Sequence, residues 1–137
     1  MDAGLQDYRT STAQVPLSTN IADYAASLRA AGRPAEAAQQ EALTETTYRL
    51  LRSSGSNVDL ELSLYEADHG HGQAALAAAT REYRRRVSVH TEDALGWALH
   101  AAGNDRTALK HARAAERLST TNALFAYHRG MIEHSLA

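Results

Sequence analysis

The chain has 137 residues, a mass of 14.8 kDa, a formal net charge of −2 and 44% hydrophobic residues. This length suits one folded domain, and the small net charge gives no global basic field for nucleic acid. The absence of cysteine excludes disulfides and cysteine-based metal sites or nucleophiles. No apolar run is long enough to span a membrane and the N-terminal residues are polar, so we expect a cytoplasmic protein without membrane or nucleic-acid partners.

The spacing of apolar residues predicts an all-α chain of seven to eight antiparallel helices. Helix boundaries follow from serine or threonine caps, from Pro34 in a first turn and from glycine at helix ends. In chain order the predicted helices cover 3–15, 18–32, 35–51, 58–69, 73–86, 92–102, 106–118 and 122–136. No segment shows the alternation typical of a β-strand.

Small residues recur along the chain at a regular interval. The recurring pairs, each a glycine and an alanine five residues later, are Gly32 with Ala37, Gly70 with Ala75, and Gly103 with Ala108. Gly96 and Gly130 are separated by a similar interval of 34 residues. A period of about 34 residues is typical of stacked helix pairs, which bury their apolar faces only against neighbouring pairs.

These residues resemble the tetratricopeptide repeat family. The match is fullest in the third unit, which carries the family's pattern of leucine, glycine and alanine at Leu95, Gly96, Leu99, Gly103, Ala108, Ala112 and Ala115. The resemblance implies one domain over 1–137 that forms a right-handed α-α superhelix. Its repeats are 18–55, 56–88 and 89–121, with half repeats at 3–16 and 122–137. The pattern fails at Glu41, Thr44, Glu66 and Glu82.

One position of the repeat always holds a small residue, namely Ala25, Ser63, Gly96 or Gly130. Small side chains let two helix backbones approach closely. Glycine inside a helix costs about 1 kcal/mol relative to alanine. We therefore expect both Gly96 and Gly130 to lie at close helix crossings.

The resemblance also implies a concave groove that binds a partner protein or peptide. The residues expected to line it are Arg29, Asn57, Leu60, Leu64, His90, Asp93, Trp97, His100, Tyr127, Met131 and His134. Trp97 and Tyr127 are the predicted anchors. The alternative is that Trp97 is a core residue. The groove lacks the lysine and asparagine clamp with which some family members hold acidic chaperone tails, so such tails are not expected.

The two ends of the chain suggest self-association as an alternative function. Gly4, Tyr8, Ser11 and Pro16 resemble the second helix of a repeat whose first helix is missing, and the last half repeat stops before its second helix. The chain is thus expected to be a segment of a longer solenoid or to pair with a second copy as a homodimer. The residues expected to be partly uncovered there are Leu124, Phe125, Ile132 and Leu136.

The sequence contains no motif for a catalytic nucleophile, a zinc protease or a phosphate-binding loop. We therefore expect a non-catalytic protein without cofactors or metal. A metal or acid-base site remains an alternative through His69, His71, His90, His100 and His134 with Asp93, although solvated or structural histidines are more common. The basic run from Arg81 to Arg86 is interpreted as a solvated helix end.

Overall fold

The computed structural model of the protein describes residues 2–15, 17–119 and 121–137. Within these ranges the chain forms eight α-helices and no strand, which confirms the predicted all-α class. The helices are α1 (Asp2–Gln14), α2 (Ser18–Ala30), α3 (Pro34–Ser53), α4 (Asp59–Asp68), α5 (Gly72–Arg85), α6 (Val89–Ala101), α7 (Asp105–Ala115) and α8 (Ala123–Leu136). Pro16, to which the resemblance assigned a place in the first half repeat, lies outside the described residues.

The helices belong to two compact units, Met1–Val58 and Asp59–Ala137. The first contains α1 to α3 and buries Leu5, Tyr24, Leu28 and Ala37 together. The second contains α4 to α8, and its core includes Leu95, Trp97, Leu99 and Ile132 with several alanines of α5 and α7. Alanine brings neighbouring helices close together without side-chain entropy cost, which explains why this core contains so many small residues.

The same turn joins the helices of three successive pairs. Gly32, Gly70 and Gly103 have positive φ angles of 74°, 76° and 81°. The residue after each glycine has φ between −112° and −90° and ψ between 56° and 61°. Left-handed backbone is accessible to glycine without a steric penalty, so the recurring glycine is required by the turn. The pairs α2 with α3, α4 with α5 and α6 with α7 therefore share one connection.

The beginnings of α6 and α8 are also equivalent. Ser88 caps α6 in a reciprocal capping box with Thr91. Asn122, which lies one repeat period further along the chain, caps α8 by accepting hydrogen bonds from the N–H groups of Leu124 and Phe125. Both caps satisfy backbone donors that have no partner inside the helix. The repeat period is thus visible in the capping of these two helices.

Helix α6 is buried along most of its length, because α4, α5, α7 and α8 all pack against it. The buried residues include Glu92, whose carboxylate accepts a hydrogen bond of 3.1 Å from the hydroxyl of Tyr83 and lies 2.7 Å from Nδ1 of His111. Burial, reinforced by this hydrogen bond, raises the pKa of Tyr83. Tyr83 on α5 and His111 on α7 thereby compensate for the desolvation of Glu92.

The two helical glycines of the repeat have different surroundings. A Cβ atom added to Gly96 would lie 3.1 Å from the backbone nitrogen of Ala112 and 3.2 Å from the carbonyl oxygen of Ala108. A Cβ atom added to Gly130 would meet nothing within 4 Å. The expected close crossing is therefore present at Gly96, where α7 packs on α6. The prediction of a close crossing at Gly130 is wrong, because no described helix lies against that side of α8.

This difference gives a matched pair of substitutions. We expect Gly96→Leu to lower the free energy of unfolding by about 1–3 kcal/mol or more, because the backbone of α7 leaves no room for the side chain. Gly130→Leu should leave stability unchanged or raise it by up to about 1 kcal/mol through helix propensity. Urea unfolding followed by circular dichroism measures both. Equal effects of the two substitutions would contradict the assigned packing.

The basic run at the end of α5 joins that helix to α4. Arg81 donates from Nη2 to Asp59 at 2.8 Å, and Arg85 donates from Nη1 to the other carboxylate oxygen at 2.8 Å. Burial acts to raise the pKa of Asp59, but the hydrogen bonds and charges of the two arginines outweigh it and the pKa is lowered. The interpretation as a solvated helix end is therefore incomplete, since Arg81 and Arg85 hold a buried carboxylate.

The lowered pKa predicts a pH-dependent effect of Asp59→Asn. Ionised Asp59 stabilises the fold fully above its ordinary value of 3.8, and this contribution is lost as the pH falls through the lower folded pKa. We expect the variant to lose about 1–3 kcal/mol at pH 7 and progressively less below about pH 4. Urea unfolding at several pH values checks this, with exposed Asp23→Asn as the control. A pH-independent loss would contradict the assignment.

Candidate partner-binding surface

The only tryptophan of the chain lies within a cluster of aromatic rings in the second unit. The ring of Trp97 stacks on His128, with centroids 4.2 Å apart and 12° between the planes. It also stacks on His100 at 4.9 Å, and the ring of Tyr127 lies 6.0 Å away. Helix α6 supplies Trp97 and His100 one turn apart, and α8 supplies the adjacent Tyr127 and His128.

Hydrogen bonds to carboxylates fix the orientation of the rings of Trp97 and His128. Trp97 donates from Nε1 to Oδ1 of Asp68 on α4 at 2.7 Å. Nδ1 of His128 lies 3.0 Å from both carboxylate oxygens of Asp93, and both of these side chains are buried. Charge-assisted hydrogen bonds of this kind are shorter and stronger than neutral ones. The cluster is therefore held by contacts between α4, α6 and α8.

Trp97 and Asp93 do not line an open groove, which corrects the sequence-based expectation. Trp97 is 8% exposed and Asp93 is 2% exposed. The reason is that His100, Tyr127 and His128 lie against the indole, while His128 also pairs with Asp93. Trp97 is thus a core residue that supports neighbouring side chains, as the alternative interpretation held.

Tyr127, the exposed ring of the cluster, lies on an exposed apolar face of α8. Leu124, Tyr127 and Met131 are 47%, 56% and 38% exposed and follow the spacing of a single helical face. The face that packs inward contains Phe125, His128 and Ile132. We call the exposed set, together with the residues that support it, the Trp97 surface. Its members are Asp68, Trp97, His100, Leu124, Tyr127, His128 and Met131.

Helix α4 carries exposed acidic side chains on the side that contacts Trp97. Asp68 and Glu61 are exposed and lie two turns apart on one face of α4, with half-buried Leu64 between them. Leu64 packs against the core of the second unit. Within the described residues, neither Glu61 nor Asp68 forms an ion pair. By contrast, the other two acids of this helix have partners, since Asp59 binds Arg81 and Arg85 and Glu66 lies against His71.

The other predicted groove residues are not part of this cluster. Arg29 belongs to the first unit and forms a bidentate pair with Glu41 at 2.6 Å and 2.7 Å. Asn57 also belongs to the first unit. In the second unit Leu60 and Leu64 are half-buried, and the remaining two residues, His90 and His134, are exposed. His90 contacts the buried ring of Phe125 edge-on at 5.5 Å.

Of the four residues predicted to mediate self-association, two are buried and two are exposed. Phe125 is 4% exposed and Ile132 is fully buried, so the expectation that they are uncovered is wrong. They lie on the inward face of α8, and Ile132 is part of the core that includes Trp97. Leu124 and Leu136 are exposed, and Leu124 belongs to the Trp97 surface.

Three of the five histidines proposed as an alternative metal site have separate hydrogen-bond partners. Nδ1 of His69 lies 2.7 Å from the carbonyl oxygen of Tyr65, and Nδ1 of His71 lies 2.6 Å from the carboxylate of Glu66. Nδ1 of His100 lies 2.5 Å from the carboxylate of Asp105. Across the described ranges, no three His, Cys, Asp or Glu side chains are grouped to hold a metal ion.

The first unit contains an open cleft of about 640 Å³ between α1 and α3, above Tyr24. Its lining is mostly polar. The guanidinium of Arg33 within it is bound to Glu36 at 2.7 Å and 2.6 Å. The charge of Arg33 is thus neutralised within the cleft, and Arg9 also lines it.

The sequence did not predict Asp68 and His128 of the Trp97 surface, nor Glu61 on the same face of α4 as Asp68. A usable signal existed for His128, because its separation from Asp93 along the chain is close to one repeat period. That spacing places the two residues at neighbouring positions on successive first helices. The separation of Asp68 from Trp97 is shorter than the period, and nothing in the repeat pattern singles out this pair.

No protein-family model, curated protein or solved structure matches this chain. None of the described helices is long and apolar enough to cross a membrane.

The buried pair of Asp93 and His128 predicts a large effect of Asp93→Ala. We expect a loss of about 1–3 kcal/mol in the free energy of unfolding, because the imidazole loses its acceptor while it remains buried. Asp105→Ala removes the acceptor of half-exposed His100 and should cost less than about 1 kcal/mol. Urea unfolding followed by circular dichroism compares the two variants. A larger loss for Asp105→Ala would contradict the described geometry.

Proposed function

We propose that this chain is a non-catalytic interaction module of the tetratricopeptide type, a right-handed superhelix of helix pairs that binds a partner protein. Three repeated features support the repeat assignment. They are the shared glycine turns, the caps one repeat period apart at Ser88 and Asn122, and the alanine-rich second helices.

The single observation that carries the proposal is the exposed apolar face of α8. Leu124, Tyr127 and Met131 each expose more than a third of their surface on one side of the helix. Exposed apolar patches of this kind mark interaction sites, and tyrosine and methionine are enriched in interfaces. The ring of Tyr127 is held against Trp97 and His128. An anchor that is already ordered loses less entropy on binding.

The shape of this face suits an amphipathic helix or extended segment of a partner. Side chains spaced by three and four residues form a ridge along α8, and a partner helix presents its own apolar residues at the same spacing. The buried indole beneath Tyr127 provides a rigid base. We propose that the partner covers Leu124, Tyr127 and Met131, with Trp97 as support and not as a direct anchor.

The proposal assigns no catalytic residue, cofactor or metal. Among the described residues, the hydrogen bonds of His100 and His128 reach only Asp105 and Asp93. A histidine that activates a nucleophile needs a hydroxyl, thiol or substrate proton within hydrogen-bond distance. The hydrogen bonds between these histidines and carboxylates are better explained as contacts that orient the imidazole rings.

Self-association is less well supported through the side of α8 that lies opposite Leu124, Tyr127 and Met131. In the register that equates Gly96 with Gly130, the buried Leu95 and Leu99 of α6 correspond to Arg129 and Glu133 of α8. Arg129 binds both Glu133 and Glu116. A helix of a second copy that packed there as α7 packs on α6 would cover these charges, which is costly.

The proposal is tested by selecting helical peptides from a displayed random library against the full chain. We expect the selected peptides to lose affinity by at least about a hundredfold on a Tyr127→Glu, Met131→Glu double variant, since the anchors are replaced by charges. Fluorescence anisotropy measures the affinities, and the emission of Trp97 reports whether peptides bind beside it.

The matched control is a Leu50→Glu, Leu118→Glu variant, which changes two exposed leucines that are not members of the Trp97 surface. The selected peptides should bind this control as they bind the parent chain. Selection that yields no binder, or binders that ignore the change at Tyr127 and Met131, would overturn the proposal. Light scattering at several concentrations should show a monomer; a dimer abolished by Leu124→Glu, Leu136→Glu would favour self-association instead.

A further inference from the structure

The charges around the Trp97 surface are unevenly distributed. Helix α4 contains four acidic residues and no basic one. Two of these acids are engaged by cationic or imidazole partners, as described above, but Glu61 and Asp68 are exposed without an ion pair within the described ranges. The carboxylate of Asp68 accepts one hydrogen bond, from Trp97, and a carboxylate has room for several donors.

Lysine and arginine are scarce on the two helices that carry the aromatic cluster. Helix α6 contains neither lysine nor arginine. The single arginine of α8, Arg129, is held by Glu116 and Glu133 on the side of the helix away from Leu124 and Met131. The Trp97 surface therefore combines an apolar ridge on α8 with a negative edge on α4, and no lysine or arginine of α6 between them offsets that charge.

From this arrangement we infer that the partner segment is basic: it carries lysine or arginine beside its apolar residues, and Glu61 and Asp68 receive those cations. This inference rests on the proposed function, because it concerns what binds at the same surface. Complementary charge selects partners and speeds their encounter, while like charge excludes acidic segments. The apolar ridge supplies the affinity, and the acidic edge of α4 supplies the choice of partner.

The test uses two model helices of about fourteen residues, one built from leucine and lysine along an amphipathic pattern and one in which glutamate replaces every lysine. Both are titrated against the full chain, with Trp97 fluorescence as the readout. We expect the lysine peptide to bind at least about tenfold more tightly than the glutamate peptide, with the difference reduced at high salt.

The decisive variant is Glu61→Gln, Asp68→Asn. The asparagine oxygen still accepts the hydrogen bond from Trp97, so the fold is retained while two charges are removed. We expect the lysine peptide to lose about three- to tenfold in affinity, as is typical of two exposed charge contacts. The control Asp7→Asn, Glu45→Gln makes the same change in net charge at two exposed residues of the first unit and should have less than about a twofold effect.

The outcomes separate this inference from the proposed function. If both model peptides bind equally and still require Tyr127 and Met131, the surface is a docking site but its partner is not selected by charge. If the control weakens the lysine peptide as much as the decisive variant, the effect is that of net charge and the inference fails. If neither peptide binds, a basic amphipathic partner is excluded, whereas the library selection alone decides whether the surface binds peptides.

Discussion

The second unit depends on the burial of α6 with two adjacent acidic residues inside it. Glu92 and Asp93 are both buried, and a buried carboxylate without partners costs several kcal/mol. The partners come from the surrounding helices, with Tyr83 and His111 for Glu92 and His128 for Asp93. Since these partners belong to α5, α7 and α8, the requirement fixes how three helices pack against α6.

The Trp97 surface is a consequence of that packing. The pairing of Asp93 with His128 brings α8 against α6, and the imidazole then stacks on the indole of Trp97. The same contact places Tyr127, the neighbour of His128 in the chain, beside the indole with more than half of its surface exposed. Interactions that stabilise the core therefore also position the side chain proposed to meet a partner, which explains why this anchor is rigid without being buried.

The chemistry of the surface depends on which charges are used inside the molecule. Arg81 and Arg85 are directed to Asp59, and Arg129 is directed to Glu116 and Glu133. Among the described residues of α4, Glu61 and Asp68 are left as exposed carboxyl groups without an ion pair. A net charge of −2 for the whole chain gives no hint of this local imbalance. The proposed selection of a partner therefore depends on the arrangement of a few charges, and overall composition does not reveal it.

The sequence by itself determined the helices, their order and their turns. These depend on local chemistry: the glycines at 32, 70 and 103 occupy left-handed backbone, and caps such as Ser88 satisfy free N–H groups. Only the tertiary structure decided which sides of the helices are covered. It buried Trp97, Asp93, Phe125 and Ile132, left Gly130 open, and joined Asp68 to Trp97. The physical reason is that burial depends on contacts between helices about one repeat apart, which the period of a single helix does not specify.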